Sequence, residues 1–177
     1  HMFAPCAGIV LGIDPGLTRC GYAVLRVSGN TEVSMSALGV LRTSPEKDLP
    51  NRLAEIACEI EELLDEYQPS AIAVERIFFQ SNVRTAMSVG QVSGLVLSAA
   101  AKRGVEVVQY SPNQVKIALT GWGSADTAQV QKMVKQRLKL NSIPKPADAA
   151  DAAAIALCHI ASSPLSAKIA QSTMGAK

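Results

Sequence analysis

Residues Ala71-Ile72-Ala73-Val74 are apolar at every position and run directly into Glu75. A strand without a polar face has no side to give to water, so both of its faces must be covered. Such a run reads as a buried parallel strand inside a sheet with helices on either side. A carboxylate at the end of such a strand needs a partner or a metal, because burying an unpaired charge is costly.

The rest of the chain supplies the sheet and its covers. Gly8–Ile13 is a short apolar run ending at the turn signal Asp14-Pro15-Gly16. Tyr22–Val27 and Ser36–Thr43 are further strands with Gly29-Asn30 marking the turn between them, which makes the first three strands an antiparallel meander. From Asp48 the period changes. Leu53, Ile56, Ala57, Ile60, Leu63, Leu64 and Tyr67 form one helix face, Pro50 falls in the first turn, and Glu55, Glu59, Glu62 and Glu66 point outward as a solvated acidic face.

A long helix spans Val83 to Lys102, with Gly90, Gly94 and an alanine-rich stretch that allow close approach of another helix. Val105–Tyr110 is a fifth strand, and Ser111-Pro112 starts a short helix carrying Lys116. Gly121-Trp122-Gly123-Ser124 is a loop, with Ser124 the expected N-cap of a helix whose stripe is Val130, Met133, Val134 and Leu138. Pro144 and Pro146 open a last helix from Ala147 to about Ser162.

This order gives an α/β domain with a mixed five-stranded sheet flanked by helices, the order of the ribonuclease H-like fold. The expected domain is 8–163. Residues 1–7 form a lead in which His1-Met2 reads as a remnant of cloning, and 164–177 form a mobile tail.

A length of 177 residues suits one domain, and a 48% hydrophobic content suffices for a core. No apolar run reaches the length of a membrane span, and no basic segment leads into an apolar one at the N-terminus, so a cytoplasmic protein is expected. Cys6, Cys20, Cys58 and Cys158 lack zinc-knuckle spacing and there are only two histidines, so they read as idle or buried thiols. The net charge of +2 is unevenly spread: residues 1–100 hold 7 basic and 11 acidic side chains, and residues 101–177 hold 10 and 4. A basic C-terminal half fits a polyanionic partner.

Four carboxylates stand out. Asp14 closes an apolar strand, although Asp-Pro-Gly is also ordinary turn chemistry. Glu75 closes the buried strand, with an ion pair to Arg76 or Arg19 as the plain alternative. Asp148 and Asp151, three apart among alanines, share one helix face. Acids in a helix's first turn are favourable in themselves, which accounts for Asp148 better than for Asp151. Four carboxylates from three segments form a set of hard oxygen ligands suited to Mg²⁺ or Mn²⁺. Two such ions ~4 Å apart can activate a water and stabilise the leaving oxygen of a phosphodiester. Asp14 is the best bridging candidate. Without cations, acids this close should show raised pKa values. His159, two turns beyond Asp151, is too distant for that cluster and reads as structural.

These segments resemble the motifs of the RuvC family of Holliday-junction resolvases. Gly12-Ile13-Asp14-Pro15-Gly16 with Thr18 and Gly21-Tyr22 is similar to the first motif, and Ala73-Val74-Glu75-Arg76-Ile77-Phe78 to the second. Val115-Lys116, Gly121-x-Gly-Ser-Ala, Gln129-Val130 and Met133-Val134 match the third region, and Ala147-Asp148-Ala149-Ala150-Asp151-Ala152 the fourth. The likeness runs from about residue 8 to 160.

It implies a magnesium-dependent homodimer with two cations per site. The dimer would grip a four-way DNA junction and nick two strands of like polarity symmetrically, leaving ligatable 5′-phosphate and 3′-hydroxyl ends. It also implies RuvA and RuvB as partners. Lys116 then stands beside the scissile phosphate, with a plain solvated lysine as the alternative. Arg76, Arg84, Lys132 and Lys135 are phosphate-contact candidates. Aromatics are scarce, at three Phe, three Tyr and one Trp, yet Phe78 and Phe79 stand together just after Glu75. Phe78 is the better candidate to stack on an unpaired base, and a dimer contact is the alternative. The chain departs from the family at Thr127, where a lysine is usual. Lys132 is a candidate to compensate.

Three other readings account for parts of the sequence. An actin-like ATPase also opens with an Asp-x-Gly turn, but it should carry a second glycine-rich phosphate loop and an adenosine motif, and neither is found. A YqgF-type nuclease acting on RNA fits Glu75 with the Asp148/Asp151 pair less well. A junction-binding module without catalysis would not need four carboxylates.

Overall fold

The computed structural model describes residues 8–29, 32–76 and 82–162. Strand β1 (Gly8–Asp14), β2 (Arg19–Ser28) and β3 (Glu32–Arg42) are followed by helix α1 (Leu49–Tyr67), β4 (Ala71–Glu75), α2 (Val83–Lys102) and β5 (Glu106–Tyr110). Helices α3 (Pro112–Thr120), α4 (Thr127–Arg137) and α5 (Ala147–Ser162) complete the order. The five strands form one sheet in the order β3-β2-β1-β4-β5. The β1–β2 and β2–β3 pairs are antiparallel, and β1–β4 and β4–β5 are parallel. The expected meander and buried parallel strand are both present. The lead, the tail, Asn30, Phe78 and Phe79 lie outside the described residues.

Period-2 alternation divides the core in two. Leu11, Ile13, Val24, Ile72 and Val74 face α1 and α2, meeting Ile56, Ile60, Leu64, Val92 and Val96. Val10, Ala23, Leu25 and Ala73 face the other way, against Val115, Leu119, Val130, Val134 and the alanines of α5. Helix α5 is buried nearly all round, from Ala149 to His159, because α3 and α4 cover the side turned away from the sheet. Among the described residues no helix is long and apolar enough to cross a membrane.

Two expectations need correction. Ser124 does not cap α4. The N-cap is Asp126, whose side chain accepts from the Gln129 amide while the Gln129 side chain accepts from the Asp126 amide. Ala125 is 2% exposed, so the chain tucks inward after Ser124 and the helix begins only where this reciprocal pair is available. Glu59 does not simply point to solvent. One of its carboxylate oxygens is buried without a hydrogen-bond partner, and burial pushes its pKa up. Glu55, on the same helix, pairs with Lys47.

Glycines set how closely α5 lies on the sheet. A Cβ at Gly12 would stand 2.1 Å from the Ala152 carbonyl oxygen, and one at Gly21 would stand 2.1 Å from that of Asp148. Both contacts are to helix backbone, which cannot move aside as a flexible side chain would. Gly12→Ala should therefore displace α5 and destabilise the protein at the upper end of the ~1–3 kcal/mol typical of overpacking, or beyond it. Urea unfolding measures this; a loss under about 0.5 kcal/mol would mean that α5 is not held this tightly.

Candidate active site

Ile13 on β1 pairs with Val74 on β4, so Asp14 and Glu75 sit at the same level at the C-terminal ends of neighbouring parallel strands. Ile13 and Val74 are buried against α1 and α2, so alternation turns Asp14 and Glu75 to the opposite, α5 face. Asp148 and Asp151 occupy the first two turns of α5, which the close contacts at Gly12 and Gly21 seat directly over β1 and β2.

The electrostatics show four carboxylates acting on one another. Asp14 is pushed up to about 9, chiefly by burial, then by a hydrogen bond between its carboxyl and Glu75 and by the charges of Glu75, Asp151 and Asp148. Asp151 is pushed up to about 6 by burial and by Glu75 and Asp148. Arg19, at the start of β2, donates from Nε to Asp148 Oδ2 at 2.7 Å. The pairing considered for Glu75 therefore goes to Asp148 instead, because Arg19 and Gly21 share a strand face and Gly21 abuts the Asp148 backbone.

Among the described residues no group of three or more acidic, His or Cys side chains is already closed around a cation position. The set nevertheless fits a hard divalent cation. Its donors are all carboxylate oxygens, and burial with mutual repulsion already drives a proton onto Asp14. A cation would relieve the same strain.

The remaining candidates are distributed around this end of the sheet. Strand β5 is parallel to β4, so α3 leaves the sheet at the edge where Asp14 and Glu75 stand, and it carries Lys116, which is half-buried. A capping box at Ser111 and Gln114 fixes the start of α3. Thr127 is the first residue of α4, and the N-cap beside it is an aspartate. That helix end therefore presents an anion rather than a vacant phosphate site. Lys132 is exposed but lies ~140° around the helix from Thr127, poorly placed to substitute for a lysine there.

Arg76 and Arg84 are exposed near the ends of β4 and α2, and Lys135 is half-buried in the last turn of α4. His159 is buried, with its Nδ1 2.7 Å from the Tyr110 hydroxyl, in a structural position two turns from Asp151. Cys20 and Cys158 are buried free thiols and Cys58 is an exposed one. In the sequence Gly12 and Gly21 are legible only as letters of the first motif, and Arg19 only as an alternative partner of Glu75.

A mixed sheet of this order, with Asp14 and Glu75 at the C-terminal ends of its central strands and Asp148 and Asp151 on the helix laid over them, defines a ribonuclease H-like protein. The chain belongs to the RuvC family: residues 10–159 match the family described as crossover junction endodeoxyribonuclease RuvC. The crossover junction endodeoxyribonuclease RuvC of Pseudarthrobacter chlorophenolicus is 51% identical over 150 residues, covering 85% of this chain and 78% of that protein. The Thermus thermophilus RuvC structure superposes with a TM-score of 0.83 at 39% identity, covering 89% of this chain and 96% of that one. T. thermophilus RuvC in complex with a Holliday junction substrate matches at a TM-score of 0.81 and 37% identity, with the same coverage.

The raised acids set a pH dependence. Without a cation the native state holds protons on Asp14 and Asp151 that the unfolded chain releases near its ordinary carboxylate pKa. Stability from these groups is complete below about pH 4 and is lost as pH rises toward about 9. His159, held below its ordinary value by burial, acts in the opposite sense, but only in acid. In a chelator, Tm should therefore fall from about pH 7 to about pH 9, and Asp14→Asn should flatten that fall. A wild-type Tm that is level across this range would contradict the assigned shift at Asp14.

Proposed function

We propose that this chain is a divalent-cation-dependent endonuclease that resolves Holliday junctions by symmetric nicking of two strands of like polarity, in recombination and DNA repair. The observation that carries the reading is the meeting of Asp14, Glu75, Asp148 and Asp151 at one end of the sheet, where burial and neighbouring acids raise the Asp14 pKa. The family assignment supports this reading over a YqgF-type RNA nuclease or an actin-like ATPase.

Asp14, Glu75, Asp148 and Asp151 would hold two Mg²⁺ ions, with Mn²⁺ able to replace them. When bound, such a pair supplies an activated water and charge stabilisation of the leaving oxygen. Lys116 places a positive charge beside the scissile phosphate as charge develops there. Phe78 is assigned to stacking on an unpaired base. Arg76, Arg84, Lys132, Lys135 and Phe79 are assigned to the DNA around the cut, and RuvA and RuvB are the proposed partner proteins. With no lysine at Thr127, the electrostatic help at the phosphate falls mainly to Lys116.

The chain acts as a homodimer through α2. Val83 is 70% and Met87 59% exposed, and Gly90 and Gly94 continue the same exposed face at four- and three-residue steps. A Cβ at Gly94 would meet nothing within 4 Å, so a second backbone has room to approach. Ala86, expected on this stripe, is instead buried against the protein's own core, and Val83 and Met87 supply the apolar surface. Gly94→Arg should convert the dimer to a monomer by light scattering at micromolar concentration while leaving the fold intact. A wild-type monomer under these conditions would dismiss the α2 seam.

Asp14→Asn should abolish cleavage of a synthetic four-way junction, by at least a hundredfold in single-turnover rate, with junction affinity nearly unchanged. It removes a ligand without adding negative charge toward DNA. Near wild-type cutting by the purified variant would refute the assignment.

A further inference from the structure

Arg19 sits against a proposed cation ligand and has no part in the function described so far. Its Nε is 2.7 Å from Asp148 Oδ2, and the two side chains are 40% and 30% exposed. An ion pair this open to solvent adds little to stability.

Its placement is nonetheless determined from several directions. Asp14 pairs in register with Gly21, and Gly21 lies against the Asp148 carbonyl. Arg19 is two residues before Gly21 and shares its strand face, so its side chain falls onto the Asp148 carboxylate. A Cβ at Gly16 would stand 2.2 Å from the Arg19 carbonyl oxygen, so the Asp14–Arg19 turn closes tightly on this residue. From behind, the Thr43 hydroxyl donates to the Leu17 carbonyl at 2.6 Å, and Arg52 donates to the Thr43 and Thr18 hydroxyls at 2.9 and 2.8 Å. The turn is therefore held through its middle, at Leu17 and Thr18, and closed by the tight Gly16–Arg19 approach.

We infer that Arg19 is a positioning residue: it holds Asp148 by Oδ2 in the orientation that offers Oδ1 to a divalent cation. A carboxylate has about four acceptor sites on two oxygens, so one donor on Oδ2 leaves Oδ1 available. An aspartate so held has already lost the rotamer freedom that cation binding would otherwise remove. Outer partners of ligating groups act in this way, and their loss weakens cation affinity about 10- to 100-fold.

The inference rests on Asp148 being a cation ligand, and the test separates the two ideas. Mn²⁺ alone is titrated calorimetrically, without DNA, into the wild-type chain and into Arg19→Ala, Arg19→Gln, Arg19→Lys and Asp148→Asn. The two neutral variants should bind Mn²⁺ about tenfold more weakly or worse, with Arg19→Lys recovering part of the loss. The metal-free Tm should stay close to wild type, and Arg19→Gln serves if Arg19→Ala does not fold. In cleavage, Arg19→Ala should need correspondingly more cation for half-maximal rate while approaching the wild-type maximum at saturation.

Weak binding by Asp148→Asn with unchanged or tighter binding by the neutral Arg19 variants would overturn the role of Arg19 alone. Tighter binding would make the guanidinium a competitor of the cation rather than its support. Unchanged binding by Asp148→Asn would overturn the ligand assignment and this inference with it.

Discussion

Helix α5 rests on the sheet with its own backbone, at the Asp148 and Ala152 carbonyls, where side chains of β1 and β2 would otherwise stand. Gly12 and Gly21 leave the space, and the alanines of α5 do the same from the helix side. Most of the site's geometry follows from this contact. A helix kept at ordinary packing distance by larger side chains would hold Asp148 and Asp151 well away from Asp14 and Glu75. Brought this near, the four acids share one electrostatic environment, and α5 becomes a buried element that α3 and α4 must cover.

That proximity is unfavourable in the absence of cations. Burial, a hydrogen bond with Glu75 and the charges of three neighbouring acids push Asp14 far above the ordinary carboxylate range. The fold accepts local destabilisation here because the apolar layers on both sides of β1 and β4 are extensive. Arg19 offers partial compensation at the exposed rim, touching Asp148 and leaving the half-buried Asp14 and Glu75 untouched. The arrangement thus grades from a half-buried Asp14, whose pKa burial and its acidic neighbours raise, to an exposed, ion-paired edge at Asp148.

The turn from Asp14 to Arg19 joins these two ends, and its rigidity comes from outside itself. Thr43 is a buried polar residue at the end of β3, and Arg52 reaches from the first turns of α1 to bind it. The outer strand of the meander and the first helix therefore both brace a loop to which neither is adjacent in sequence.

Much of this was legible in the sequence, and the divisions are instructive. The α1 span followed from periodicity and the start of α5 from the prolines before it, and Glu75 announced itself as a charge ending an apolar strand. The four carboxylates were readable because each closes or opens an element, a local property. The Asp126–Gln129 capping box was also present in the sequence, three residues apart, although Ser124 drew the assignment. Strand β3 begins four residues earlier than the Ser36 start read from the sequence: Glu32-Val33-Ser34-Met35-Ser36-Ala37 already alternates polar and apolar, and its pairing with β2 runs from Glu32.

The local chemistry of the chain determined which residues are acidic, which segments must be buried on both faces, and where each element turns. Only the tertiary structure decided that Arg19 faces Asp148 rather than Glu75, that Ala86 is buried while Gly94 is open, and that Gly12 and Gly21 set the height of α5. Those outcomes depend on distances between segments far apart in sequence. Such distances are fixed by packing over the whole sheet rather than by any residue's own preferences.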